Sequence, residues 1–338
     1  MWFRGLREFF LRVREAESEM SRPAQDTHIR TGLAGSLDQL IGNTPLLPLH
    51  RSAGAGSRGS IFVKLEYLNP GGSVKDRAAL AIVQAAEQDG QLGRGKTLLD
   101  ASSGNTGIAY AMLCAERGYG CEICLPGNAS EERKKLLRGY GARIVITDAV
   151  EGSDGAIREA RRRATADTTE HYFYADQYNN PENVRAHYEN TGPEIWEQMK
   201  GRVTHFVAGL GTSGTFVGTG RRLRECNPRV RLIAVQPDSP LHGIEGMKHM
   251  ATAIVPGIYD PELDDETIEV STEEAQAMAR RLAREEGLLS GVSGGANVAA
   301  ALRVAAEAGH EAFIVTVLPD GGERYLSQRW WDEGGGMP

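Results

Sequence analysis

From Ile61 onward, short apolar or β-branched runs (IFVKL, TLLDA, CEICL, RIVIT, YFYA, THFVAG, RLIAV and FIVTVL) alternate with stretches in helical periodicity. A run that is apolar at nearly every position has no polar face to offer water, so these segments predict strands buried on both sides by helices. The alternation predicts an α/β fold with largely parallel sheets, and there are enough strands for two of them. Helix punctuation agrees. The helix over residues 74–88 is stopped by Gly90, Ser130 opens SEERKKLLRGYG, and Thr272 precedes EEAQAMARRLAREEG, which ends at Gly287. The Asn/Pro-rich YNNPEN at residues 178–183 predicts a domain boundary. Ahead of this pattern, Trp2, Phe3, Leu6, Phe9, Phe10 and Val13 form one helical stripe, broken as a secretory signal by Arg4, Arg7, Glu8 and Arg12. Residues 1–34 are expected to be an amphipathic extension that docks on the body or on a partner.

Composition narrows the class. With 38 Lys+Arg against 45 Asp+Glu, a net charge of −7 and 25% charged residues, the 338-residue chain reads as a soluble globular protein without a general basic surface for nucleic acid. The longest charge-free stretch, residues 203–220, is rich in Gly and Thr, so no membrane span is expected. Four cysteines, Cys114, Cys121, Cys124 and Cys226, are too few for a disulfide framework and predict a reducing, cytoplasmic setting. Cys121 and Cys124 spell C-x-x-C inside a strand-like run, where that spacing sends the side chains to opposite faces. They are read as packing, and no metal is expected.

Four junctions carry unusual residues, and ligands in open α/β sheets collect where strands end and helices begin. In NPGGSVKDR (residues 69–77), Lys75 sits just inside a helix start, whose positive end disfavours an ammonium and lowers its pKa. A neutral amine forms Schiff bases and moves protons; taken alone, a solvated lysine explains the motif equally well. SSGNTG (residues 102–107) puts hydroxyls, an amide and backbone N–H groups at a helix N-terminus, more than capping requires and suited to a carboxylate. GLGTSGT (residues 209–215) is a phosphate cradle, and its Gly209, Gly211 and Gly214 also satisfy the dinucleotide fingerprint, for which Asp238 is the available ribose partner. SGVSGGAN (residues 290–297) adds Ser293, a neutral hydroxyl able to meet a ring nitrogen.

Taken in order, these four segments resemble the cysteine synthase and cystathionine β-synthase family, the fold-type II pyridoxal-phosphate enzymes. IGNTPLLPL (residues 41–49), YNNPENVRAHYENTGPEIW (residues 178–196) and ERYLS (residues 323–327) extend the likeness over residues 36–330. The resemblance implies two three-layer α/β/α domains: residues 35–180, with a mobile substrate-binding subdomain, and residues 181–338, with the cofactor-phosphate site. The first strands are expected to cross into the second domain's sheet. It implies pyridoxal 5′-phosphate held by Lys75 as a Schiff base, by Asn105 at the 3′-oxygen, by Gly211, Thr212, Ser213, Gly214 and Thr215 at the phosphate, and by Ser293 at the ring nitrogen. Ser102, Ser103, Asn105, Thr106 and Gln177 match positions that bind the substrate's α-carboxylate, with Ser102 standing where many members have Thr. The implied reaction is β-replacement on an activated L-serine through an α-aminoacrylate, with Lys75 as the proton-transfer group.

Residues 243–259, GIEGMKHMATAIVPGIY, look most like the B-type cysteine synthases, and Lys248 fills the position of a basic residue that contacts phosphate in O-phosphoserine-using relatives. The expected donor is O-acetylserine with sulfide or thiosulfate, then O-phosphoserine, then serine with homocysteine. A homodimer is expected, as is a link to a serine acetyltransferase or a sulfur-carrier protein. The readings from other classes are a nucleotide-binding oxidoreductase, which leaves Lys75 idle, and a non-catalytic binding subunit.

Overall fold

The computed structural model describes residues 34–52 and 59–332, so the expectation for the N-terminal stripe lies outside the described residues. Two sheets carry the architecture. The smaller has four parallel strands in the order β5-β4-β3-β6: β3 (Thr97–Ala101), β4 (Gly120–Pro126), β5 (Arg143–Thr147) and β6 (Tyr172–Tyr174). One face packs on α1 (Lys75–Gln88), α2 (Asn105–Arg117) and α3 (Glu131–Gly139) through Ile82, Ile108 and Leu137. The other is covered by Ala156, Ile157 and Ala160 of α4 (Gly152–Ala166). Cys121 faces the first cluster and Cys124 the second; both are buried free thiols, and burial pushes Cys124 up to about 12, where a thiolate is scarce.

The larger sheet has six strands in the order β1-β2-β10-β7-β8-β9, parallel except for β1. Here β1 (Leu46–Pro48) and β2 (Ser60–Leu65) pair beside β10 (Phe313–Leu318), followed outward by β7 (His205–Gly209), β8 (Arg231–Pro237) and β9 (Glu266–Val270). Two strands from the start of the chain therefore sit in the sheet built from its end. Its faces are covered by α8 (Thr272–Arg281) and α9 (Val292–Glu307) on one side, and by α6 (Gly192–Gln198) and α7 (Gly214–Cys226) on the other.

The eight apolar runs all become strands. β1 and β9 were not among them: β9 alternates exposed Thr267 and Glu269 with buried Ile268 and Val270, the pattern of a sheet edge rather than a centre. The cap of α8 is Ser271, whose hydroxyl accepts from the Glu274 amide, one residue ahead of the expected Thr272. YNNPEN opens α5 (Pro181–Ala186), with the Asn180 side chain accepting from the Glu182 amide.

Candidate active site

The loop from β2 to α1 is held by a buried ionic cluster. Arg77 reaches both oxygens of Glu66, at 2.7 and 2.8 Å, and both of Glu194, at 2.7 Å each. Lys64 Nζ adds the Thr44 carbonyl at 2.6 Å and Glu194 at 2.7 Å, while Thr44 donates to Glu66 at 2.6 Å. The IGNTP motif thus folds onto charges of β2 and α1 and fixes the turn that ends at Lys75. Lys75 itself makes no side-chain hydrogen bond or ion pair among the described residues. Burial lowers its pKa, against the upward pull of Asp320 and Glu66. An unpaired, desolvated lysine is a neutral amine in waiting.

At the end of β3, Gly104 (φ +144) starts α2 in a conformation only glycine adopts readily, and a Cβ there would lie 2.3 Å from Arg133 Cδ. The Ser102 hydroxyl accepts from the amides of Gly104 (2.9 Å) and Gly107 (3.0 Å), so it caps the helix from the strand end that precedes it. Thr106 donates to the Gln177 side-chain carbonyl at 2.6 Å, and Gln177 Nε2 to the Ala101 carbonyl at 2.6 Å; both are buried. Ser103 and Asn105 are half-exposed at this helix start, beside the first amides of α2, which have no partner within the helix. The structure therefore gathers all five carboxylate candidates: the side chains of Ser102, Asn105, Thr106 and Gln177 are already paired within the chain, and Ser103 stands half-exposed beside them.

At the end of β7, Gly211 is forced by close approach: a Cβ would lie 2.1 Å from the Gly246 carbonyl oxygen. Ser213 at φ +69 turns the chain into α7, bringing successive backbone N–H groups to one side as an anion nest. Thr212 Oγ1 accepts from Asn183 Nδ2 at 3.1 Å, and Thr215 Oγ1 lies 3.2 Å from His187 Nε2. Burial drives His187 down to about 3, reinforced by Arg77, so the ring is neutral. Sequence reasoning passed over Asn183 and His187, though both lie in the YNNPENVRAHYENTGPEIW motif. Because folded His187 refuses a proton that the unfolded chain accepts below its ordinary value of 6.5, stability is expected to fall on acidification from about pH 6.5 toward 3. Denaturation midpoints across that range check it: His187→Asn should flatten the dependence, and an unchanged slope would contradict the assignment.

Gly211→Ala is expected to weaken cofactor retention roughly 5- to 150-fold, on the order of the 1–3 kcal/mol that overpacking costs, because the Gly246 backbone cannot yield as a side chain does. Equilibrium dialysis measures this, and wild-type retention would contradict it.

Ser293, in the first turn of α9, has a hydroxyl with no hydrogen-bond partner among the described residues. The segment after β10 joins the remaining pieces: Asp320 bridges Ser73, Gly321 bridges Ser290, and Pro319 accepts from the Val74 amide at 2.8 Å. Lys248 is not a free cation. It is 3% exposed, donates to Asp154 Oδ1 of α4 at 2.5 Å, and lies 5.1 Å from the centre of the Tyr178 ring. Its own amide donates to the Leu210 carbonyl at 2.8 Å, so this strap ties the loop after β7 to α4 of the smaller sheet.

An unpaired, half-buried lysine, an anion nest opening α7 and an unpartnered serine hydroxyl, all gathered where parallel strands end, fit an aldehyde-bearing phosphate cofactor with a heterocyclic nitrogen. The chain belongs to the pyridoxal-phosphate dependent enzyme family, whose model matches residues 37–320, and its cofactor is pyridoxal phosphate. It is 49% identical over 294 residues to "Cysteine synthase" of Aquifex aeolicus, covering 86% of this chain and 90% of that one. It is 43% identical over 292 residues to "Cysteine synthase B" of Escherichia coli, covering 86% and 94%. The crystal structure of the Entamoeba histolytica cysteine synthase superposes with a TM-score of 0.85 at 34% identity, covering 94% of this chain and 96% of that one. The family sets aside the dinucleotide reading of GLGTSG. Among the described residues no helix is long and apolar enough to cross a membrane.

Proposed function

We infer that this chain makes L-cysteine by β-replacement on an activated L-serine with sulfide or thiosulfate, and that O-acetylserine is its first donor. The observation that carries the reading is Lys75: half-buried, without a side-chain ion pair or hydrogen bond among the described residues, and held below the ordinary lysine pKa. Bound pyridoxal phosphate would supply an electron sink that takes up the Cα–H bonding pair and returns it as the leaving group departs from Cβ with its own pair. Lys75 Nζ holds the cofactor at rest and, once displaced, takes the Cα proton. The nest at residues 211–215 anchors the phosphate, and the Ser293 hydroxyl meets the ring nitrogen without donating a full positive charge. The Ser103 hydroxyl and the open backbone amides at the start of α2, that of Asn105 among them, orient the α-carboxylate, the Asn105 carboxamide meets the cofactor's 3′-oxygen, and buried Ser102, Thr106 and Gln177 shape that turn. Closing the smaller domain on the carboxylate excludes water from the reacting carbons.

Donor choice turns on Lys248. A phosphorylated serine brings a second anion that asks for an unpaired cation, and Lys248 is already neutralised by Asp154. Steady-state kcat/KM for O-acetylserine, O-phosphoserine, and serine with homocysteine tests the choice. O-acetylserine is expected to lead, and a preference above about tenfold for O-phosphoserine, roughly 1.4 kcal/mol in transition-state binding, would overturn it. The same reading places the enzyme in the cytoplasm as a homodimer, open to a serine acetyltransferase or a sulfur carrier as partner; exposed Leu47 on edge strand β1 and exposed Leu68 support an apolar contact.

A further inference from the structure

The chemistry above uses Asn105 but gives no work to the charges around it. Both ends of the Asn105 carboxamide are engaged by ionised residues: Nδ2 donates to Asp320 Oδ2 at 2.7 Å, and Oδ1 accepts from Arg324 Nη1 at 2.6 Å. Asp320 is fully buried and Arg324 is 4% exposed. Turning the amide over would set its NH2 against a guanidinium and its carbonyl against a carboxylate, so the surroundings admit one orientation.

The two clamping residues are themselves held. Asp320 also accepts from Tyr325 Oη at 2.6 Å and Arg133 Nη2 at 3.4 Å, and its carbonyl accepts from the Gly291 amide at 3.0 Å. Its second oxygen lies against Gly291, where a Cβ would come within 2.1 Å of it. Arg324 reaches the Gly71 carbonyl with its other nitrogen, and its own carbonyl accepts from Ser130 at 2.8 Å. Asp320 and Arg324 thus touch the lysine loop, the start of α2 and the loop before Ser293 together.

We propose that Asp320 and Arg324 are positioning residues that lock the Asn105 carboxamide, so that its second Nδ2 proton, and never its oxygen, is offered to the cofactor's phenolic oxygen. This rests on Asn105 being the cofactor's partner. A donor at that place stabilises the phenolate, whereas a carbonyl there repels it.

The test is equilibrium binding of pyridoxal phosphate, together with the pH midpoint of its visible band, in Asn105→Ala, Arg324→Met, Arg324→Lys and the Asn105→Ala/Arg324→Met double variant. Arg324→Met is expected to weaken cofactor binding about tenfold, the scale of one hydrogen bond to a charged group, and to move the midpoint. Arg324→Lys, which keeps a cationic donor, restores both. In the Asn105→Ala background, Arg324→Met should add nothing. If Asn105→Ala changes both readouts while Arg324→Met changes neither, or adds its full effect in the double variant, the lock is overturned. If Asn105→Ala itself leaves both unchanged, the underlying assignment of Asn105 fails instead. Should the methionine variant not fold, Asp320→Asn serves the same scheme, because a neutral amide no longer dictates which way Asn105 faces; wild-type binding and midpoint there would overturn the lock.

Discussion

Replacing Lys75 by alanine is expected to lower turnover by roughly 10²–10⁴-fold, the contribution of a positioned proton-transfer group, and to end covalent attachment of the cofactor. The structure makes this residue difficult to replace. Lys75 follows a turn fixed by the buried cluster of Lys64, Glu66, Arg77 and Glu194, and no other lysine shares that loop. Its amine makes no ion pair among the described residues, and burial lowers its pKa against the upward pull of Asp320 and Glu66. Arginine at the same position would keep the charge yet offer no nucleophile. Steady-state assay of Lys75→Ala with added cofactor decides the matter, and wild-type rates would remove Lys75 from its role.

Arg77→Met is expected to cost about 3–5 kcal/mol in folding stability, the loss seen when one partner of a buried ion pair is removed. The Arg77 side chain is 2% exposed and that of Glu66 fully buried, so the orphaned carboxylate has no water to turn to. Burial alone would raise Glu66, but the charge and hydrogen bonds of Arg77 outweigh it and hold the carboxyl at about 2. Since this folded pKa lies below its ordinary value of 4.5, the stabilisation is complete above that pH and lost as pH falls toward 2. Replacing Glu66 by Gln in the same chain should recover part of the loss, because the stranded charge is then gone. Urea denaturation near neutral pH measures both variants, and an Arg77→Met cost below about 1 kcal/mol, that of a surface pair, would contradict the account.

Much of the frame was legible in the chain because central parallel strands carry no polar face, and all eight such runs were read. Edge strands escaped for the converse reason: β9, half exposed, looks like the polar segments around it. At the site, glycines and hydroxyls at strand ends pointed to the loops proposed to hold the cofactor, since such clusters exceed what turns and caps need. Their individual roles were less visible. Ser102 looked like a ligand residue and also caps α2, while Lys248 looked like an available cation and is bound to Asp154, which lies 94 positions away in sequence. Asn183, His187, Asp320 and Arg324 act through partners far along the chain, and no local pattern marks such pairings.

The central claim is that Lys75 carries pyridoxal phosphate. The chain has seven lysines, Lys64, Lys75, Lys96, Lys134, Lys135, Lys200 and Lys248, so the site can be read directly. The protein is saturated with pyridoxal phosphate, reduced with borohydride and digested, and its peptides are mass-mapped. The account predicts a phosphopyridoxyl group on Lys75 in near-stoichiometric yield, lost when O-acetylserine displaces the lysine before reduction. A label on another lysine, or a protein that takes up none, would contradict it.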